Sequence, residues 1–265
     1  FSFLEYEYFG RIFYIYIFTL SIFTVANYFK VKEIYKVIIF LTLIIVLNSS
    51  YFFSGYQEVL VFSYSIFLTC FFVEFQKSLK DKKNTFFLMM IFFLIFWLKN
   101  EAFIFAIIFF ISILIFYPKK HLKLFTLFFI FLIFLRLSLY KLFQLDLNLQ
   151  SGNYENFSFY QLSQFISLDR FFVILKYSII SIIKSPIVAL VIIAAYLNYY
   201  SNKNVLSKVI FFNLNLNILF IFFAYLFTTF PIIFHLSTSI DRLIFQALGF
   251  NIIILYIFIN NKKLK

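Results

Sequence analysis

The sequence predicts an all-α fold, a polytopic transmembrane helical bundle of about nine helices. Of the 265 residues, 64% are hydrophobic and only 13% are charged, whereas a soluble globular chain is roughly 45–50% apolar. The apolar residues form long runs that short charged segments separate. Because no water-soluble core could bury this much Phe, Leu and Ile, lipid must be the solvent for much of the surface. We expect residues 1–265 to form a single transmembrane domain.

Nine apolar runs bounded by charge are predicted to span the membrane. The connecting segments alternate between lysine-rich ones, such as 77–83 and 119–123, and acidic ones. This alternation follows the positive-inside rule, so we expect an integral membrane protein with a cytoplasmic C-terminus. As a separate expectation, the membrane is the bacterial inner membrane. The predicted spans are 12–29, 37–53, 59–75, 85–98, 102–117, 124–143, 171–197, 209–230 and 243–259.

The net charge of +12 is explained by these lysine-rich loops, so nucleic acid is not an expected partner. The chain begins with Phe1 rather than Met, and the opening stretch is acidic and aromatic. Such a stretch does not have the layout of a signal peptide. We therefore expect the chain to be a fragment that lacks an upstream helix and the first outer loop.

The fourth and fifth spans are separated only by Lys99-Asn100-Glu101. Residues 85–117 are too long for one crossing, yet 85–98 alone reaches only about 21 Å of the roughly 30 Å of hydrocarbon. We therefore predict that this turn is recessed in a cavity on the outer side. A charged pair such as Lys99 and Glu101 is costly at that depth, which makes it a functional candidate.

Two further charged segments belong to the predicted outer side. Glu5, Glu7 and Arg11 precede the first span, where they form either a solvated interfacial segment or a site with a carboxylate base. Asp241 and Arg242 are predicted to begin the final helix. Arg suits a phosphate through bidentate hydrogen bonds, but a helix start with an interfacial Arg explains the pair equally well.

Glu58 falls in the first turn of the third span, where the helix dipole favours a carboxylate. Capping and function explain it about equally well. Inside the spans, Arg136 and Lys184 are interpreted either as lining a cavity for an anionic lipid headgroup or as extending towards an interface. Asn213 and Asn217 share one helix face and are predicted to bond a neighbouring helix.

Three of these stretches together resemble the multi-spanning membrane glycosyltransferases of the GT-C superfamily. Gly55-Tyr-Gln-Glu58-Val-Leu-Val-Phe resembles the acidic helix start that follows a short outer loop in that superfamily. Trp97-Leu-Lys99-Asn-Glu101-Ala resembles its Lys-x-Glu-Gly-like turn, although Ala102 stands where a Gly is usual. The segment 236–246 resembles its late turn, in which an Arg begins a helix after a Thr-Ser segment.

The resemblance implies an enzyme of the cell envelope that moves a sugar from a polyprenyl-phosphate-linked donor to an acceptor on the outer face. The donor and membrane lipid would be its partners. The cofactor is undetermined, with a divalent cation as the candidate, and no residue is assigned to a metal. Glu5 and Glu7 would be the catalytic carboxylates. The substrate-binding residues would be Arg11, Glu58, Lys99, Glu101, Asp241 and Arg242.

Other functions compete with this interpretation. A flippase or transporter of a lipid-linked or anionic solute is the main alternative, although such carriers often show broken helices and paired halves that this sequence does not clearly display. A polysaccharide polymerase or ligase would need a longer outer loop than 144–170. A purely structural membrane subunit is the simplest alternative.

Overall fold

Ten α-helices make up the part of the chain that the computed structural model describes, which comprises residues 3–28, 57–77, 82–117, 123–143, 167–201, 204–227 and 231–262. These residues contain no strand, so the all-α class is confirmed for them. In chain order the helices are α1 (Phe3–Tyr28), α2 (Glu58–Lys77), α3 (Lys82–Leu98), α4 (Asn100–Phe116), α5 (Lys123–Leu142), α6 (Leu168–Lys184), α7 (Pro186–Ser201), α8 (Val205–Leu226), α9 (Ile232–Asn251) and α10 (Ile253–Lys262).

Two of these helices, α5 and α8, are each long and apolar enough to cross a membrane, and α6 with α7 would be a third if they form one span. The helices α1 to α5 and α8 coincide with six of the predicted spans. The predicted span 37–53 lies outside the described residues. The chain is therefore a helical protein with candidate membrane spans, and the number nine stays a prediction.

The predicted span 171–197 consists of two helices, because the chain bends by 99° between α6 and α7. The break falls at Ser185, whose φ of −119° and ψ of 81° are not helical. Pro186 lacks a backbone N–H and disfavours a helical conformation at the residue before it. A proline that interrupts the apolar run thus divides it into two helices of different direction.

The final helical region also begins earlier than predicted. Asp241 and Arg242 lie in the third turn of α9 rather than at a helix start. The Ser-Thr-Ser run before them is also helical, and its hydroxyls bond to carbonyls of the preceding turn. Thr238 donates to the carbonyl of Phe234 at 2.9 Å, and Ser239 donates to that of His235 at 2.6 Å.

Helix α2 occupies the centre of the described bundle, where it packs against α1, α3 and α9. Its contact with α9 is unusually close at Gly249, where a Cβ atom would lie 2.5 Å from the carbonyl oxygen of Phe62. The ring of Phe62 also stacks on that of Phe245, with centroids 4.6 Å apart. Both contacts hold α9 beside the first half of α2.

Aromatic rings fix α5 against α3 and α4. Phe110 of α4 stacks on Phe129 of α5 with centroids 3.9 Å apart. Phe92 of α3 meets Phe125 and Phe129 edge to face, at 5.1 and 5.5 Å. Such ring pairs stabilise a contact by about 0.5–1.5 kcal/mol each beyond the area they bury. They hold the later part of α5, which carries Arg136, beside the turn between α3 and α4.

Candidate functional site

A buried carboxylate lies at the start of α2. The side chain of Glu58 is only 1% exposed, and the residues that follow it on α2 are buried as well. As the first residue of its helix, Glu58 benefits from the helix dipole. That interaction alone does not offset the cost of burying a charge, so a nearby cation is required.

Two cations from distant parts of the chain supply that charge. The Lys99 Nζ atom lies 2.7 Å from the Glu58 Oε1 atom, and a terminal nitrogen of Arg242 lies 3.6 Å from the same oxygen. The Lys99 and Arg242 side chains are 26% and 32% exposed. We call these three residues the ion triad. It combines a buried anion with two partly exposed cations and therefore carries one net positive charge.

The helix packing explains how the triad forms. Residues 58 to 62 of α2 and 242 to 249 of α9 run in the same direction, since Glu58 meets Arg242 and Phe62 meets Gly249. Lys99 is the single non-helical residue between α3 and α4, with an extended φ of −158° and ψ of 157°. Its extended backbone allows the side chain to reach Glu58 at the same end of the bundle.

The triad brings together three of the residues that the sequence singles out, but not in the expected pairs. Lys99 was predicted to act with Glu101, and the structure pairs it with Glu58 instead. Glu101 lies in the first turn of α4, close enough to Tyr225 and His235 to act on them electrostatically. It therefore stands near the end of the bundle where α8 and α9 meet.

Asp241 connects α9 to a different helix. Its Oδ1 atom accepts a hydrogen bond from the hydroxyl of Ser181 on α6. Nearby, the Tyr225 hydroxyl lies 2.9 Å from that of Ser239. Asp241 is the sequence neighbour of Arg242, which belongs to the ion triad. Its bond to Ser181 therefore links the triad region to α6.

The predicted catalytic carboxylates lie on α1. Glu5, Glu7 and Arg11 were expected in a segment before the first helix, but α1 begins at Phe3 and includes all three. Their assignment as catalytic and substrate-binding residues stays a prediction.

Some buried polar atoms near the triad have no hydrogen-bond partner among the described residues. They include the Glu58 Oε2 atom and both amide atoms of Gln246, which follows Arg242 by one helical turn. An unsatisfied buried polar atom costs about 1–3 kcal/mol. The second oxygen of Glu58 therefore remains an acceptor for a hydroxyl or amide donor.

Arg136 is a residue whose role the sequence interpretation missed. It was expected to line a headgroup cavity or to extend towards an interface, but it is buried on α5 and donates to the Phe96 carbonyl. It also donates to the Asn100 Oδ1 atom at 2.5 Å, and its guanidinium lies 4.5 Å from the Phe103 ring. Arg136 thus satisfies the last turn of α3 and the first residue of α4, on both sides of Lys99. The rule that a charge inside an apolar helix needs a partner could have indicated a buried, hydrogen-bonded role for Arg136.

We expect Arg136→Ala to lower the free energy of unfolding by about 2 kcal/mol, because the Phe96 carbonyl and the Asn100 side chain would lose a charged donor. Arg136→Lys should recover only part of this, since an ammonium cannot reach both acceptors as the planar guanidinium does. Chemical unfolding in mixed micelles measures both values. Lys141→Ala, an exposed site on the same helix, is the control. Equal stability of Arg136→Ala and the control would contradict the prediction.

Asn213 and Asn217 differ in outcome. Asn213 donates to the Asn251 Oδ1 atom at 3.0 Å, which confirms its predicted bond to a neighbouring helix. Asn217 is buried with no hydrogen bond from its amide to any described residue.

Among the described residues no three His, Cys, Asp or Glu side chains lie close enough to hold a metal ion. Comparison of the chain with protein-family models, curated proteins and solved structures finds no match.

Proposed function

We propose that the protein is a membrane glycosyltransferase that moves a sugar from a polyprenyl-phosphate-linked donor to an acceptor hydroxyl on the outer face. The observation that supports this most is the ion triad. Lys99 and Arg242, which the resemblance implies as substrate-binding residues, lie within 4 Å of the same carboxylate oxygen. Two partly exposed cations fixed by one buried anion form a preorganised site for an anion.

The carboxylate of the triad fixes the positions of its two cations. Glu58 holds the two cations at a set spacing before the ligand arrives, so little reorganisation is needed on binding. The guanidinium of Arg242 offers a planar pair of donors, whereas the Lys99 ammonium acts as a point charge. Both act in a partly buried site, where the attraction between charges is stronger than in water.

An apolar cavity lies on the side of α9 that is turned away from the ion triad, and none of the three triad residues lines it. It has a volume of about 200 Å³ and lies between α6, α7, α8 and α9. Ile244, which follows Arg242 by two residues, is one of its lining residues, and Leu248 lies a turn further along α9. Because residues two apart on an α-helix point to opposite sides, α9 separates this cavity from the two cations, and the triad alone supports the proposed phosphate site.

The proposed reaction needs no nucleotide. The acceptor oxygen attacks the anomeric carbon of the donor, the bond from that carbon to the phosphate oxygen breaks, and the lipid phosphate leaves with the electron pair. A carboxylate takes the hydroxyl proton, a role we assign to Glu5 or Glu7. Lys99 and Arg242 stabilise the charge that develops on the leaving phosphate. The remaining predicted residues would contact the sugar or orient the two cations. They are Arg11, Glu101 and Asp241.

A flippase or transporter is a second candidate because of the 99° bend between α6 and α7. Carriers often build their substrate sites where a membrane helix is broken, with unpaired backbone groups facing a cavity. The apolar cavity described above is lined by both helices of the bent pair. The same lipid-linked solute would then be moved across the membrane rather than cleaved.

Transfer of labelled sugar from polyprenyl-phosphate donors, followed in membranes, distinguishes these functions. We expect Lys99→Gln and Arg242→Gln each to lower the transfer rate about 100-fold, in line with the loss of a donor to a developing negative charge. Lys123→Gln, an exposed change at the start of α5, should leave the rate unchanged. Undiminished transfer by both site variants would exclude the proposed phosphate site. Flipping of a labelled lipid without any transfer would favour the carrier.

A further inference from the structure

Helix α6 carries an exposed apolar stripe. Its members recur every three or four residues, so they share one face of the helix. Their side chains are between 41% and 77% exposed, while the opposite face holds the buried Ile174 and Ser181. The stripe is therefore turned away from the buried face of α6, and its members Leu175 and Ile179 also border the apolar cavity between α6, α7, α8 and α9. The stripe consists of Leu168, Phe172, Leu175, Ile179 and Ile183.

The direction of α6 differs from that of the helices beneath it. Helix α7 runs alongside the membrane-span candidate α8, since Tyr196 donates to Asn215 at 3.2 Å and the ring of Tyr199 stacks on that of Phe211 at 4.2 Å. Because α6 makes an angle of 99° with α7, it lies across the direction in which α8 would cross the membrane.

The contacts of α6 confirm that it crosses the hairpin of α8 and α9 at one level. Tyr225 meets Ser239 near one end of that hairpin, and Asn213 meets Asn251 near the other. Arg170 donates to the carbonyl of Tyr225, which is the penultimate residue of α8.

The C-terminal end of α6 contacts the hairpin of α8 and α9 at nearly the same height as its N-terminal end does. Ser181 donates to Asp241, which is only two residues beyond Ser239 and thus about 3 Å further along α9. Arg170 and Ser181 are about 16 Å apart along α6 itself. Both ends of α6 therefore lie near the end of α8, at the depth where a crossing helix leaves the hydrocarbon.

Two lysines lie along one edge of the stripe. Lys176 and Lys184 are both exposed and stand one turn on either side of Ile180. Asp169, also exposed, lies at the N-terminal end of the helix, away from this pair. An apolar stripe with lysines along one edge is the pattern of a helix that lies in a membrane interface. Long lysine side chains can then reach the headgroups.

We propose that α6 is an interfacial helix that lies in the plane of the bilayer surface and binds anionic lipid headgroups through Lys176 and Lys184. The stripe enters the boundary between headgroups and acyl chains, and the buried face rests on α8 and α9. This placement is independent of any sugar transfer by the ion triad.

Depth measurements test the placement. Nitroxide labels attached to cysteines at Phe172 and Ile183, in a Cys70→Ser background and in phosphatidylcholine nanodiscs, should report nearly equal depths. If α6 instead crossed the membrane, the same pair would differ by about 16 Å. Leu127 and Leu137, exposed on the span candidate α5, are the control pair and should differ by about 15 Å. A depth difference for α6 as large as that of the control would overturn the proposal.

Lipid preference tests the lysines. A fluorophore at Ile180, between the two lysines, should be quenched more by brominated phosphatidylglycerol than by brominated phosphatidylcholine. We expect a preference of about fivefold for each lysine that contacts the headgroups. The Lys176→Gln/Lys184→Gln variant should lose this preference while the depth of the label stays unchanged. Equal quenching by the two lipids in the unsubstituted helix would refute the anionic-lipid site.

Discussion

Lys99→Gln is expected to lower the free energy of unfolding by about 3 kcal/mol, as the loss of one partner does for buried ion pairs. The substitution leaves the Glu58 carboxylate buried, with Arg242 as its remaining cation at 3.6 Å. The loss of stability comes from the carboxylate, because its side chain is 1% exposed and water cannot replace the lost cation. Lys99 itself reaches the surface. Equilibrium unfolding in mixed micelles measures the change.

The reverse substitution should be milder. Glu58→Gln removes the buried charge and leaves two cations that are partly exposed and can be hydrated, so we expect a loss of about 1 kcal/mol. The double variant Glu58→Gln/Lys99→Gln should recover most of the stability that Lys99→Gln loses, because neither a buried charge nor its partner remains. Additive losses in the double variant would show that the pair is not coupled.

The double variant also separates stability from catalysis. If Lys99 holds a phosphate, the double variant should be nearly as stable as the unsubstituted protein and still transfer sugar about 100-fold more slowly. If Lys99 serves only to neutralise Glu58, the double variant should transfer sugar as fast as Glu58→Gln alone. The comparison therefore tests the proposed role of Lys99 without relying on a variant that unfolds.

Gly249→Ala is expected to lower the free energy of unfolding by about 3 kcal/mol, at the upper end of the usual cost of overpacking. The added Cβ would lie 2.5 Å from the carbonyl oxygen and 2.8 Å from the Cα atom of Phe62. Because these atoms belong to the backbone of α2, the two helices themselves must separate. The separation would also draw Arg242 away from Glu58.

A second substitution distinguishes this cause from a simple side-chain clash. Phe62→Ala removes the ring that stacks on Phe245 but not the backbone atoms that face Gly249. It should therefore fail to rescue Gly249→Ala, and the double variant should be less stable than either single one. Thr238→Ala, at an exposed position on α9, serves as the control. Rescue by Phe62→Ala would contradict the close backbone contact.

The sequence predicts the helical elements where charge interrupts the apolar runs. The break at Lys99 is found where the Lys-Asn-Glu segment was expected to divide two helices. Its physical signal is strong because a polar triplet between two short apolar runs cannot remain in lipid. The bend at Pro186 was not predicted, because a proline within an apolar run is also compatible with a kinked single helix. Only packing against α8 and α9 determines which of the two forms occurs.

The sequence suggests the charged residues of the site but not their partners. Local chemistry identifies Glu58, Lys99 and Arg242 as charges that need an explanation. Which of them meet depends on the close contact of α2 with α9 at Gly249, a feature of the tertiary structure. In the same way, the role of Arg136 depends on an aromatic cluster that places α5 beside the turn at Lys99.

The order of synthesis implies that the two contacts of Glu58 form at different times. Its partner Lys99 lies 41 residues further along the chain, whereas Arg242 belongs to one of the last helices. During insertion into the membrane, the carboxylate can thus be neutralised by the hairpin of α3 and α4 long before α9 is made. Arg242 then joins a pair that already exists, so the late helix docks onto an anion whose position is set. The ion triad would in this way guide assembly as well as complete the site.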